Sequence, residues 1–346
     1  MITWARTVRV ALSAATVAGV AVAASAAVPA AASVAVPEAA HAATVGGSFV
    51  YSKGGNIHLA HADGSHDIVF KKGGWYWPSM DNNGVIAAEK QDRMAPDGTT
   101  GYTIHRFRQS GSQLSRQNTP SSLSTVSCIA YPSYHVSLSP DGSKVGYDYI
   151  GCTGDVFATW TPSTTFRLHT HMDYFAPAWL NNTSMTISHF GTTVTSTQAQ
   201  VGVWKTGGAG SGWSADLADP WATAYHATAT RDGRKIALIE DDAADYFGSP
   251  HRVRLVFGTA GGPGQAIHRQ CSLGLPASQY NAWEGATYAN LSFSPNGKVL
   301  AFDSGAGIYK VHTGVLAGCT ATSLNKQLWI KGGTNPSFSP AADRRG

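Results

Sequence analysis

Residues 137–149 read SLSPDGSKVGYDY, residues 292–303 read SFSPNGKVLAFD, and residues 228–241 read TATRDGRKIALIED. A small-polar run, a tight turn and an apolar strand recur along one chain. Such internal self-similarity constrains a fold more than any bulk property does. Aligned on the residue before the turn, the copies centre on Met80, Pro140, Leu180, Arg231 and Pro295, and a sixth, PSFSPAA with Pro340, stands at the C-terminal end. The first five run into short apolar strands: VIAAE, VGYDY, MTISHF, IALIE and VLAFD. The unit is strand, turn, strand.

The turn position held by Gly142, Gly233 and Gly297 is Asn82 and Asn182 in the other two copies. Gly and Asn tolerate left-handed backbone dihedrals, which a hairpin turn requires. A calcium loop would need several oxygen ligands at alternate positions, and no copy supplies them. The Asp-Gly pair is therefore expected to be architecture.

Successive reference residues lie 40 to 64 positions apart, which suits four-stranded units with variable loops. Second hairpins are legible in NIHLAHADGSHDIVF (56–70) and GIYKVHTGVLAGC (307–319). The C-terminal copy stops just after a first strand, while the segment from Gly47 to Phe70 holds three strands with no first strand before them. One unit assembled from both termini would close a ring and remove exposed sheet edges. The expected fold is all-β: a six-bladed β-propeller of four-stranded blades, one blade shared between the N- and C-termini. A linear β-solenoid is the rival, with shorter and more uniform coils.

The chain opens with Arg6 and Arg9, continues through an uncharged Ala/Val-rich run from Val10 to Val28, and reaches Ala40-His41-Ala42. This reads as a secretory signal over residues 1–42, with a single domain over 43–346. The alternative is an anchor, because the run is long enough to span a bilayer. The segment carries neither a lipoprotein cysteine nor a twin-arginine pattern. Charged residues make up only 13% of the chain and 38 residues are Gly, the composition of an extracellular all-β protein. The net charge of +4 is scattered, which argues against nucleic acid and anionic membrane surfaces as partners. No membrane span is expected after signal cleavage, and the protein is expected to be a monomer. Cys128, Cys152, Cys271 and Cys319 suit oxidation after export. Three pairings are possible. Cys128–Cys152 and Cys271–Cys319 are favoured, the second joining adjacent blades.

The SPDG-type turns with their apolar strands, together with strands such as NIHLAHADGS, resemble TolB-type (WD40-like) propeller repeats over nearly all of the mature chain. The resemblance implies the fold and an extracytoplasmic, cell-envelope or secreted location.

In a propeller the turn between the first two strands faces one side, and the loops leaving the second strand and entering the first face the other. On that second face fall Glu89, Asp92, Asp148, His189, Glu240, Asp241, Asp242 and Asp303, with Trp75, Trp77, Tyr134, His135, Tyr174, Phe175, Tyr225, His226 and Tyr288. Trp75, Trp77, Tyr134, His135, Asp148, Tyr174, Tyr225, His226, Asp241 and Asp303 are the candidate ligand-binding set. Aromatics, imidazoles and carboxylates around a channel mouth form a ligand face; the alternative is that the aromatics pack between blades. HTHMD places His169, His171 and Asp173 on alternate positions, hence on one face of a strand, as a candidate site for zinc or a similar ion. No bound cofactor is expected otherwise. The chain lacks G-x-S-x-G, H-E-x-x-H and a phosphate-binding loop. The leading expectation is a binding module recognising an extracellular or envelope glycan, peptide or protein. The alternatives are a carbohydrate-active lyase or hydrolase using the same mouth, and an envelope scaffold without a small-molecule site.

Overall fold

The computed structural model describes residues 46–94, 100–118, 133–151, 154–160, 167–172, 174–190, 199–205, 211–212, 223–241, 253–263, 265–275 and 290–343. The expected signal or anchor, Cys128, Cys152, Asp173, Asp242 and Tyr288 lie outside these residues. Strands β1 (Ser48–Lys53), β2 (Asn56–His61) and β3 (Ile68–Lys71) begin the first sheet. The second holds β4 (Trp75–Met80), β5 (Ile86–Met94), β6 (Thr100–Phe107) and β7 (Gln113–Asn118). The third holds β8 (Ser133–Leu138), β9 (Val145–Gly151), β10 (Gly154–Trp160) and β11 (Arg167–Met172). The fourth holds β12 (Tyr174–Trp179), β13 (Ser184–Phe190), β14 (Ala199–Lys205) and β15 (Ser211–Gly212). The fifth holds β16 (Thr223–Ala229), β17 (Lys235–Asp241), β18 (Val253–Ala260) and β19 (Ile267–Leu275). The sixth holds β20 (Leu291–Phe293), β21 (Val299–Ser304), β22 (Gly307–His312) and β23 (Gln327–Lys331), with a one-turn helix α1 (Ala321–Leu324) before its last strand. Strand β24 (Gly333–Ser339) then pairs antiparallel with β1, so the first sheet runs β24-β1-β2-β3. The protein is an all-β propeller whose described residues form four-stranded antiparallel sheets. Among the described residues no helix is long and apolar enough to cross a membrane.

The repeat's chemistry explains how one sheet meets the next. In three copies the second small residue of the SxS or TxT motif closes its own turn. Ser139 Oγ donates to Asp141 and accepts from Lys144 N–H (2.9 Å), and Thr230 and Ser294 do the same in their turns. The first small residue reaches the neighbouring sheet. An innermost strand has one unpaired edge whose N–H groups need acceptors, and seryl oxygens supply them. Ser337 Oγ accepts from Met80 N–H (3.2 Å), Ser79 from Leu138 (2.9 Å), Ser137 from Trp179 (3.3 Å) and Ser292 from Phe338 (2.9 Å). Between the fourth and fifth sheets Thr186 Oγ1 donates to Ala227 O (2.7 Å). Between the fifth and sixth, Lys235 Nζ donates to Gly297 O and Thr313 O, and the Cys271–Cys319 disulfide joins the outer part of both sheets.

Gly142, Gly233 and Gly297 sit at φ +70, +65 and +63 as the turn requires. They are also crowded: a Cβ at Gly297 would lie 2.8 Å from Thr230 Cγ2, and one at Gly142 would collide with the Asp81 carboxylate. The expectation that Asn82 and Asn182 take the same left-handed position is corrected. Neither has a positive φ; in the β4–β5 turn that role falls to Gly84 at φ +85. There the Asp81 carboxylate accepts the Asn83 and Val85 N–H groups, which shifts the turn along the chain. In the β12–β13 turn Asn181 Oδ1 accepts from Thr183 N–H, and no residue from 180 to 184 is left-handed.

Between the sheets the core is aliphatic and aromatic. Phe49, Tyr51 and Phe338 of the first sheet pack with Ala301 and Ile308 of the sixth, and Trp77, Ala87 and Ile104 of the second pack with Val136 and Tyr147 of the third. Each of the larger aliphatic and Phe side chains among them contributes about 1.5–3 kcal/mol on full burial.

Candidate functional site

Five innermost strands carry a bulge at the same level. Their ladders shift register between Tyr76 and Ser79, Tyr134 and Ser137, Phe175 and Ala178, Tyr225 and Thr228, and Thr334 and Ser337. Inside each bulge one residue is left-handed: Trp77 (φ +51), His135 (+51), Ala176 (+52), His226 (+53) and Asn335 (+53). This conformation costs an L-residue about 1–2 kcal/mol, so something must hold it. The adjacent sheet provides an acceptor. Asp148 Oδ2 receives the Ala176 N–H (2.5 Å), Ser188 Oγ the His226 N–H (3.0 Å), and Asp303 Oδ2 the Asn335 N–H (2.8 Å).

The bulge side chains form a layer. Trp77 and His135 have ring centroids 4.7 Å apart, and His135 and His226 4.6 Å. These two histidines belong to the third and fifth sheets. They meet because the corresponding fourth-sheet residue, Ala176, is only a methyl group. His135 Nδ1 donates to Asp148 Oδ2 (2.9 Å), and both residues are buried. Below the layer lies a cavity of about 120 Å³, lined by residues of all six innermost strands and by His135.

Burial, and secondarily the nearby His135, pushes the His226 pKa well below its ordinary value, so this imidazole is neutral. Burial raises the Asp303 carboxyl to about 6, opposed by the N–H groups of Asn335 and Asn290 and by His135. The two have opposite consequences for stability. A depressed His pKa means that the unfolded chain takes up the proton first, below about pH 6.5, and stability falls with pH at up to about 1.4 kcal/mol per unit. The raised Asp303 contributes stability that is complete below its unfolded value near 4 and is lost as pH rises through about 6. His226→Gln removes the first effect and leaves the second. Urea unfolding of both proteins from pH 7 to pH 5 should show the wild type losing stability relative to the variant. Parallel profiles would contradict a buried neutral His226.

The other candidates are placed as follows. Trp75 is buried, edge-on to His105 (5.0 Å) and Phe107 (5.3 Å), with Lys90 Nζ 5.1 Å from its ring centroid. Trp77, His135, Asp148, His226 and Asp303 come together in or beside the bulge layer, all buried. Glu240 is buried too and meets Arg269 Nη1 at 3.0 Å and Arg254 Nη1 at 3.6 Å. Tyr134, Tyr174, Tyr225 and Asp241 lie on strands β8, β12, β16 and β17, and His169 and His171 on β11; their side chains lie outside the described part. Among the described residues no group of three or more His, Cys, Asp or Glu is arranged to hold a metal ion. Cys271 and Cys319 form the expected disulfide. The sequence reading missed the role of Ser79, Ser137, Ser292 and Ser337, although their place was its signal: Ser137, Ser292 and Ser337 each open an SLSP or SFSP run, and Ser79 stands directly before Met80.

No protein-family model matches the chain, and no curated protein matches it. Solved structures do. TolB from Acinetobacter baumannii superposes with a TM-score of 0.56 at 13% identity, covering 84% of this chain and 66% of that one. The chain therefore spans just under two thirds of that TolB. A chain of a nidogen/laminin complex gives a TM-score of 0.51 at 10% identity, covering 85% of this chain and 98% of that one. A putative TolB from Agrobacterium tumefaciens gives 0.48 at 14% identity, over 66% of this chain and 78% of that one. The likeness is one of fold: the chain resembles TolB-type propellers over most of its length.

Proposed function

We propose that the six sheets close as a six-bladed ring sealed by β24 on β1, and that the protein is a secreted binding module. Its bulge-side face, the end at which Asp148 and Asp303 stand, would recognise a glycan, peptide or protein. The observation that carries a binding role over a chemical one is the employment of three of the mouth's acids. Asp148 and Asp303 are spent on main-chain N–H groups of neighbouring sheets, and Glu240 on two guanidinium groups. A general acid or base must reach its substrate within hydrogen-bond distance, and these carboxylates are buried in the scaffold. The cavity beneath them is well below the roughly 300–1,000 Å³ of ordinary ligand pockets. Recognition therefore belongs to the outer rim, where Tyr174 and Tyr225 begin or enter their strands. The Cys271–Cys319 disulfide supports an oxidising, extracytoplasmic setting.

The test is to probe the purified protein against glycan and peptide arrays and then compare the Tyr174→Ala, Tyr225→Ala double variant with wild type on the ligand found. Aromatic anchors at an interface are worth about 2 kcal/mol or more each, so affinity should fall by about 30-fold for one anchor and by about 1,000-fold where both Tyr residues serve. Unchanged affinity in a folded double variant would place the binding surface elsewhere. Turnover of a polysaccharide by the wild type would overturn the reading in favour of an enzyme.

A further inference from the structure

The cavity enclosed by the innermost strands has a one-sided chemistry that neither the fold nor the binding reading uses. Among the described residues its lining includes Ser79, Ser137, Ser292, Ser337, Asn82 and Arg231, and no aspartate or glutamate. Each of the four seryl oxygens already accepts a main-chain N–H from the next sheet. A hydroxyl that accepts still has its own proton to donate, and none of the four donates to a described protein acceptor. Four O–H donors therefore remain at the cavity wall. Arg231 stands at the turn end of the cavity, its outer side exposed. Burial lowers its pKa. A partly desolvated guanidinium without a counter-charge is costly, and a bound anion offsets that cost.

We propose that this axial cavity is a binding site for a small inorganic anion of halide or phosphate size, held by the Arg231 guanidinium and the ring of seryl hydroxyls. The volume fits. A volume of about 120 Å³ exceeds what one water molecule needs and accommodates one such ion. A cation is disfavoured, because it would meet Arg231 and a wall of donors with no carboxylate to neutralise it. The anion would neutralise the Arg231 charge at the turn end of the cavity and thereby stabilise the fold by mass action.

The experiment uses the whole mature protein at constant ionic strength in sodium gluconate, whose anion is too large to enter. Chloride, and separately inorganic phosphate, replaces gluconate while thermal unfolding is followed. The expected result is a saturable rise in Tm for at least one of them, and the responding ion identifies the species. Arg231→Gln, at an exposed turn position, should move half-saturation at least tenfold higher, and Arg231→Lys should restore most of the response. Crystals soaked in bromide should show an anomalous peak within the seryl ring if a halide is the occupant. Equal Tm responses in wild type and Arg231→Gln would overturn the proposal. So would no response to either ion, or a cavity holding water only.

Discussion

Replacing Asp148 with alanine should lower the unfolding free energy by about 3–5 kcal/mol, the largest loss expected from any single mouth residue. The carboxylate is 3% exposed and serves two sheets at once: it accepts His135 Nδ1–H within its own sheet and the Ala176 N–H of the next. Truncation strands both donors in a buried place, and an unmet buried donor costs about 1–3 kcal/mol. It also frees Ala176 from the contact that holds it at φ +52, a conformation that alanine otherwise avoids. Asp148→Asn keeps the size and one carbonyl oxygen, so it can still accept the Ala176 N–H. Its amide then faces His135 and forces the other imidazole tautomer. About half the loss should be recovered. Urea midpoints for the three proteins, followed by Trp fluorescence, test the ordering. If alanine cost less than about 1 kcal/mol, the role assigned to Asp148 would be wrong. A ligand-binding reading of Asp148 makes the contrasting prediction that stability is kept and affinity lost.

Loss of the Cys271–Cys319 disulfide should be of similar size. The bond spans 48 positions in sequence, and closing a loop of that length in the unfolded chain is worth about 4 kcal/mol in the chain-entropy model. Its position adds to the effect. The junction of the fifth and sixth sheets lacks, among the described residues, the seryl link made at four other junctions, and it relies on Lys235 and this bond. The Cys271→Ser, Cys319→Ser protein should therefore melt well below wild type, and the wild type with a reductant should follow it once thiol titration confirms reduction. An unchanged melting temperature in the reduced protein would show that the junction is held by packing alone. Phe302 and Leu316 of the sixth sheet and its connections do pack with Leu255 and Phe257 of the fifth, so that outcome has a physical basis.

The feature most legible in the sequence was the turn. Ser139, Asp141 and Gly142 act within five residues of one another, and their hydrogen bonds depend on backbone geometry that neighbours set. For that reason SPDG, TRDG and SPNG announce the same structure wherever they occur. The exceptions, Asn82 and Asn182, were misread because residue type does not fix the place of the left-handed residue: Asp81 accepts from Val85 as well as Asn83, and the left-handed residue there is Gly84. The pairing of β24 with β1 was legible from an incomplete unit at each end, since an unpaired strand edge needs a partner.

The candidate site was legible only as a set of residues sharing one level. His135, Asp148, His226 and Asp303 were picked out by their distance from the turn, and they do assemble beside the bulge layer. Their condition there could not be read from spacing. Whether a carboxylate at a strand end faces water or a neighbour's N–H depends on how closely the next sheet approaches, and that sheet begins 20 to 40 residues away. The meeting of His135 with His226 depends on Ala176, in the sheet between them, being small. No local pattern encodes such a three-body condition. By itself, then, the sequence determined the unit and its repetition, because turn chemistry and strand alternation act over a few bonds. The tertiary structure alone decided which polar groups are buried, which sheet satisfies them and where a cavity remains, because burial and desolvation are set by groups distant in the chain.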